Sequence, residues 1–398
     1  MKVFFYRIYQ FVMLLASYMV KWPKPLLIEG ENSVLKIPQI LVDKGISSVL
    51  LVTDKVITSL GLTAPLLKEL SIAGIACSVF DDTVPNPTIG NIESALKIYH
   101  EKDARAIIAF GGGSSMDCAK GVGARVVNPK KTIPQMRGLL KVGKQLPLLI
   151  AVPTTAGTGS ETTIAAVISN PETREKFALN DQKLIPQIAV LDPLLTLNLP
   201  PHITSTTGLD ALTHAVEAYI GRANTAETRQ YAQDAVKLIF ENLQTAYANG
   251  KDVNARRNML KASYYAGVAF TRAYVGYVHA VAHTLGGYYS VPHGLANAVI
   301  LPVVLDFYGH SADRPLAELA DLIGITQANE SEAVKAQKFI AKIREMEASM
   351  SIPQKIEGIK ESDLPGMVRN ALHEANPLYP VPKELFAGEL RKIYDAVR

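Results

Sequence analysis

The chain has 398 residues, 48% of them hydrophobic and 20% charged, and a formal net charge of +4. That is enough chain for two domains and too apolar for disorder, and no dense basic run with interleaved aromatics is present to bind nucleic acid. The two cysteines, Cys77 and Cys118, read as reduced thiols of a cytoplasmic protein.

Residues 3–20, VFFYRIYQFVMLLASYMV, are almost wholly apolar, lie between Lys2 and Lys21, and enclose Arg7. The stretch is marginal in length for a membrane span and shows no small-residue cleavage site. It reads as an extension over 1–25, a helix or strand buried on the body or on a neighbouring subunit, and no membrane partner is expected. From Leu26 the pattern changes. SSVLLVT (47–53), IACSVF (75–80), RAIIAF (105–110), LPLLIAV (146–152) and IAVLDP (188–193) are short apolar runs of the kind found in buried parallel strands. Helical stretches separate them, one running to about Leu70 and one following the turn VPNPT (84–88) to about Glu101. Residues 167–181 read as a hairpin. The alternation predicts an α/β domain over 26–200, with a parallel sheet and helices on both faces.

LNLPPH (197–202) is a break. Beyond it, 204–221, 226–248, 252–275, 278–287, 294–308, 313–323, 331–349 and 382–397 all carry helical spacing, so 201–398 reads as an all-α domain. Three of the eight histidines, His279, His283 and His293, fall within fifteen positions, and GLDALTHAVEAY supplies Asp210 and His214 four apart. On helices, both i,i+4 pairs share a face. An aspartate and histidines without cysteine suit a divalent metal of intermediate hardness, Fe²⁺ or Zn²⁺. Spacing alone does not choose between His279 and His283 as a ligand.

Two glycine-bearing segments follow strands. GGGSSMDCAKGVG puts Gly111, Gly112, Gly113 and Ser114 where a backbone approaches a pyrophosphate and a helix begins. It is not G-x-G-x-x-G, and it follows the third strand. PTTAGTGSE offers Thr154, Thr155 and Thr158 for phosphate, ribose or amide, while Ser160 and Glu161 also suit a plain helix start. Asp54 ends the first strand of this domain, where a carboxylate accepts from ribose hydroxyls and repels a 2′-phosphate, favouring NAD over NADP; an N-cap role is equally open. Ligands of such sheets bind at the carboxyl ends of strands, so an active site between the domains is expected.

GGGSSMDCAK, PTTAGTGSE, GLDALTHAVEAY and VHAVAHTLGGYYSVPHGLANA, in that order, resemble the iron-containing (group III) alcohol dehydrogenase family from about Leu26 onward. The resemblance implies a dinucleotide-binding α/β domain, a helical metal domain, NAD(P)-linked oxidation of small alcohols or reduction of aldehydes, and a homodimer or larger homo-oligomer. It implies Asp210, His214, His279 and His293 as metal ligands and places His283 beside the nicotinamide as a proton carrier. It implies cofactor contacts at Asp54, Asn86, Pro87, Gly112, Gly113, Ser114, Asp117, Thr154, Thr155, Thr158, Val167 and Lys176. Thr163, Ala165 and Phe270 fall where such enzymes line the substrate pocket. The alternatives on the same scaffold are a glycerol- or diol-type dehydrogenase and a dehydroquinate-synthase-like lyase. The lyase needs several basic residues for a phosphorylated acid, whereas Ala, Leu, Gly and Tyr flank this cluster.

Overall fold

The structure is a computed structural model describing residues 1–173 and 175–398. Two compact units emerge, one of Trp22–Asn198 and one of Met1–Lys21 with Leu199–Arg398. In chain order the elements begin with α1 (Lys2–Tyr18), β1 (Leu26–Glu29), α2 (Ile37–Asp43), β2 (Ser48–Val52), α3 (Lys55–Ser59), α4 (Ala64–Ile72) and β3 (Ala76–Phe80). Next come α5 (Ile89–Glu101), β4 (Ala106–Gly111), α6 (Gly113–Val127), β5 (Gly138–Leu139), β6 (Leu148–Pro153), β7 (Ala165–Asn170), β8 (Glu175–Asn180) and β9 (Ile188–Leu191). The remainder is helical: α7 (Pro201–Ile220), α8 (Ala226–Ala248), α9 (Val253–Ala273), α10 (Tyr277–Tyr289), α11 (His293–Tyr308), α12 (Asp313–Leu322), α13 (Glu332–Ser349), α14 (Leu364–Ala375) and α15 (Ala387–Val397).

In the first unit, six parallel strands lie in the order β1-β9-β6-β4-β2-β3. Period-two alternation sorts the central strands into two cores. Leu50, Val52, Ile107, Ala109, Leu149 and Ala151 face α5 and α6 through Ile92, Leu96, Met116, Ala119 and Val122. Val49, Leu51, Ile108, Phe110, Ile150 and Val152 face α2 and α4 through Ile37, Leu41, Leu66 and Leu70. After β2 the chain adds β3 on one side and β4 on the other. The strand order therefore reverses between β2 and β4, and at such a switch point the carboxyl ends of two strands leave a crevice. β7 and β8 form the expected hairpin, with β5 added parallel to β8.

Several elements depart from the sequence expectations. The helix expected up to Leu70 is two helices, α3 and α4, divided at Gly61, whose φ of +69° suits glycine. β1 is a short edge strand with a half-exposed burial pattern, which gives no apolar run to detect. α7 begins inside the expected break, because Pro201 at its start fits the φ of a first helical turn. α14 was not expected, and α15 starts five residues later than 382. The N-terminal stretch is helix α1, but only Gln10 and Ser17 of it are buried, not its apolar side chains.

The helical unit packs α7 against α8, α9 and α11, and α10 against α11 and α14. Helix starts are fixed by side chains: Thr225 caps α8, Asp252 caps α9 and Ser331 caps α13. Within this packing the Glu347 carboxylate of α13 is buried, and its Oε1 has no hydrogen-bond partner among the described residues. Burial pushes its pKa from 4.5 up to about 8. The folded state thus holds this proton more tightly than the unfolded chain, so stability is full below pH 4.5 and is lost as pH rises towards about 8. Glu347→Gln is expected to remove that slope. Unfolding free energy from denaturant titrations at pH 5 to 8 should fall with rising pH more steeply in the wild type, with the two proteins diverging by a few kcal/mol, on the order of 1.4 per pKa unit.

Candidate active site

Asp210, His214 and Glu217 lie on α7 at i, i+4 and i+7, one stripe of a helix buried from Thr204 to Ile220 except for Thr206 and Thr207 at its half-buried edge. His279 comes from α10 and His293 is the first residue of α11. One potential ligand atom from each of Asp210, His214, His279 and His293 lies within 4.8 Å of the others. The His293 Nε2 to Asp210 Oδ1 distance is 3.5 Å. His283 stands outside this group but against it, its ring stacked on His293 at 5.2 Å and edge-on to His279 at 5.9 Å.

Glu217 was missed in the sequence, although its place two turns after Asp210 marks it as facing the same way. Its Oε1 accepts from the Val278 amide at 2.8 Å, and its Oε2 lies 2.6 Å from His279 Nδ1. A proton on Nδ1 leaves the Nε2 lone pair of His279 directed at the cluster, so Glu217 fixes the tautomer of the ring. Burial, and then the neighbouring imidazoles, hold the His279 pKa well below its ordinary value, so the ring is neutral. Asn297, also missed, donates Nδ2 to Asp210 Oδ1 at 2.6 Å and lies 3.2 Å from His279 Nε2 and 3.1 Å from His293 Nε2. Phe270 stacks on His214 at 4.1 Å, with an interplanar angle of 13°. His283 Nδ1 lies 2.7 Å from Glu374 Oε1, which also accepts from the Tyr379 hydroxyl at 2.8 Å. Burial alone would raise the Glu374 pKa, but His283 and Tyr379 outweigh it and the net shift is downward.

In the α/β unit, α6 springs from the end of β4 at Gly112, whose N-cap position supplies no side-chain cap. The N-cap glycine therefore has no side chain to occupy the first amide groups of α6, the groups that an anion at a helix start can engage. A Cβ on Gly113 would press on Thr158 at 3.0 Å, and Gly111 has φ +152°. The Asp54 Oδ1 accepts from Val56 and Ile57 amides, so its capping role is real, and Oδ2 takes neither bond. Asn86 and Lys176 meet at 2.6 Å, and the Asn86 amide donates to Ser114 Oγ at 3.2 Å; Pro87 holds Ser169 through its carbonyl. The loop after β6 hangs on a buried lysine that the sequence reading overlooked. Lys120 Nζ donates to Ser160 Oγ, to the Thr163 hydroxyl and carbonyl, and to the Ala165 carbonyl, all within 3.1 Å. Asp117 takes Ser160 Oγ and the Val167 amide, each at 3.0 Å. Thr154 is buried, its amide bonded to the Gly111 carbonyl, and Thr155 lies beside Gly112. Burial pushes Lys120 down to about 8 and Glu161 up to about 7.

A parallel α/β unit with a glycine cradle at its switch point, followed by a helical unit with a three-histidine, one-aspartate cluster, defines an oxidoreductase with a metal-competent centre. The model for iron-containing alcohol dehydrogenase matches residues 25–193, and that for the Fe-containing alcohol dehydrogenase family, C-terminal, matches 204–397. The chain belongs to the iron-containing alcohol dehydrogenase family and is an alcohol dehydrogenase. It is 40% identical over 331 residues to 1,3-propanediol dehydrogenase of Klebsiella pneumoniae, covering 82% of this chain and 85% of that one. A crystal structure of 1,3-propanediol oxidoreductase superposes with a TM-score of 0.92 at 36% identity, over 95% of this chain and 99% of that one. Sulfoacetaldehyde reductase from Bifidobacterium kashiwanohense in complex with NAD⁺ gives 0.84 at 27% identity, over 95% and 98%.

The cluster depends on close approach of α11 to α7. A Cβ on Gly294 would lie 2.5 Å from the Thr206 carbonyl oxygen and 3.5 Å from Asp210 Cβ. Backbone cannot yield cheaply, so Gly294→Ala is expected to push His293 off the cluster and weaken metal retention by about 10–100-fold. Metal content after dialysis against a graded chelator series measures this, and wild-type retention would refute the packing argument.

Proposed function

We propose that the chain transfers hydride between a small uncharged primary alcohol or short diol and NAD, at a divalent cation held by Asp210, His214, His279 and His293. The observation carrying this reading is the convergence of those four ligand atoms within 4.8 Å. Three imidazoles and a carboxylate fit Fe²⁺, which we take as the native metal, and also fit Zn²⁺. The diol option rests on the likeness to 1,3-propanediol dehydrogenase. The choice of NAD draws support from the uncapped start of α6, from Asp54 at the end of β2, and from the NAD⁺ complex of the related sulfoacetaldehyde reductase.

Bound at these sites, the cation supplies Lewis-acid polarisation of the alcohol oxygen and the dinucleotide supplies the hydride acceptor. The remaining work belongs to the chain. Gly112, Gly113 and Ser114 hold pyrophosphate by backbone and hydroxyl. Asn86, Pro87, Thr154, Thr155, Thr158, Val167 and Lys176 hold the rest of the cofactor, and Asp117 positions Val167 through its amide. Phe270 covers one face of His214 in the helical unit, and Thr163 and Ala165 of the α/β unit keep the substrate-lining part that the family resemblance implies. His283 moves the proton at Nδ1, where Glu374 steadies the charged ring. The reading includes a cytoplasmic setting and a homo-oligomer. Free Cys77 and Cys118 accord with the former.

His279→Ala is expected to abolish metal retention and cut NADH formation by about a thousandfold, roughly 4 kcal/mol of transition-state stabilisation. NAD affinity, titrated directly, should stay within about twofold, because the glycine cradle is untouched. One metal per subunit and full turnover in this variant would overturn the ligand assignment.

A further inference from the structure

Helix α1 has its polarity reversed relative to an ordinary surface helix. Its polar side chains face the body: Arg7 donates to the Val381 and Pro382 carbonyls at 2.7 and 3.1 Å and pairs with Glu384 at 3.2 Å. Gln10 donates to the Pro377 and Tyr379 carbonyls and to Glu384 Oε1, all within 3.1 Å. The Glu384 carboxylate is buried, so turning the helix over would strand it. The outward side is apolar without interruption. Phe4, Ile8, Phe11 and Leu15 follow each other at helical spacing, flanked by Phe5, Val12 and Met19, and Phe4 and Phe11 remain 66% and 59% exposed. Contiguous apolar patches above about 300–600 Å² on a soluble protein mark interaction sites.

We propose that this face of α1 docks on an anionic lipid membrane surface. Exposed Lys2 and Lys21 close the two ends of the stripe, and no acidic residue precedes Glu29. The helix has 17 residues, about 25 Å, too short to cross a bilayer, and its polar edge is tied to the body, so it lies flat. An in-plane helix with Phe and Leu on its free face and lysines at its ends binds by apolar burial plus attraction to acidic headgroups. Pairing with a second copy of the chain is disfavoured by the same charges. Antiparallel pairing sets Lys2 against Lys21 and parallel pairing sets each against itself, with no carboxylate in the segment to offset either.

The test is co-sedimentation of the full chain with vesicles of phosphatidylcholine alone or with about 30% phosphatidylglycerol, alongside alcohol-dependent turnover. The wild type should pellet with the anionic vesicles. Phe4→Ser with Phe11→Ser should leave the protein in the supernatant with turnover unchanged. Lys2→Glu with Lys21→Glu should weaken anionic binding by at least about fivefold per lysine, the equivalent of about 1 kcal/mol each. Equal pelleting of the wild type with both vesicle types would overturn the anionic preference, and no pelleting with either would overturn the proposal. A smaller assembly for the Phe4→Ser, Phe11→Ser protein than for the wild type in sedimentation velocity would assign the face to a second copy instead.

Discussion

The Glu217 carboxylate, almost wholly enclosed between α7 and α10, organises the helical unit. Burying a carboxylate is costly, and burial outweighs the hydrogen bonds from neighbouring amides to leave its pKa raised to about 7. The cost is offset because the group does two things at once. It satisfies an amide in the first turn of α10, and it accepts from the inner nitrogen of His279. Gly276 makes room for it, since a Cβ there would lie 2.7 Å from Glu217 Oε1. One side chain thereby joins a helix terminus, a helix contact and the tautomer of a histidine. Asp210 and His214 are carried on the same stripe of the same helix, so the position of α7 sets the position of half of the cluster.

The α/β unit is ordered by other means, with buried side chains shaping the loops that follow its strands. The buried ammonium of Lys120 gathers two hydroxyls and two carbonyls of the segment between β6 and β7, while Asp117 gathers the hydroxyl and amide opposite. Charges buried in this way specify one loop conformation because any other leaves them unpaired. Thr163 illustrates the point: Lys120 engages both its hydroxyl and its carbonyl.

The strands were legible because a central parallel strand is buried on both faces and must read as an apolar run. β2, β4 and β6 are such strands. β1 is not, since an edge strand needs only a half-buried face, and Leu26 is left exposed. α14 escaped notice because Pro365 and Gly366 stand in its first turn, where proline is tolerated but resembles a break. The histidine cluster was legible from paired i,i+4 spacings, yet spacing could not separate His279 from His283. In the structure a nitrogen of His279 lies with the candidate ligand atoms of Asp210, His214 and His293, while His283 lies on Glu374. Glu217 and Asn297 were hidden in plain periodicity, one turn beyond His214 and His293. Lys120 was hidden because a lysine three residues past an aspartate on a helix normally points to solvent.

Four donors drawn from three helices have a consequence for the unit as a whole. Asp210 and His293 are separated by more than eighty residues of chain, and a cation bound between them acts as a cross-link that the unfolded chain cannot reproduce. Folding and metal supply are then linked equilibria: a cation present at about a hundred times its dissociation constant adds about 2.7 kcal/mol to the folded state. In a cell short of metal, such a protein would lose population to proteolysis as well as lose turnover, and its abundance would become a readout of the metal pool.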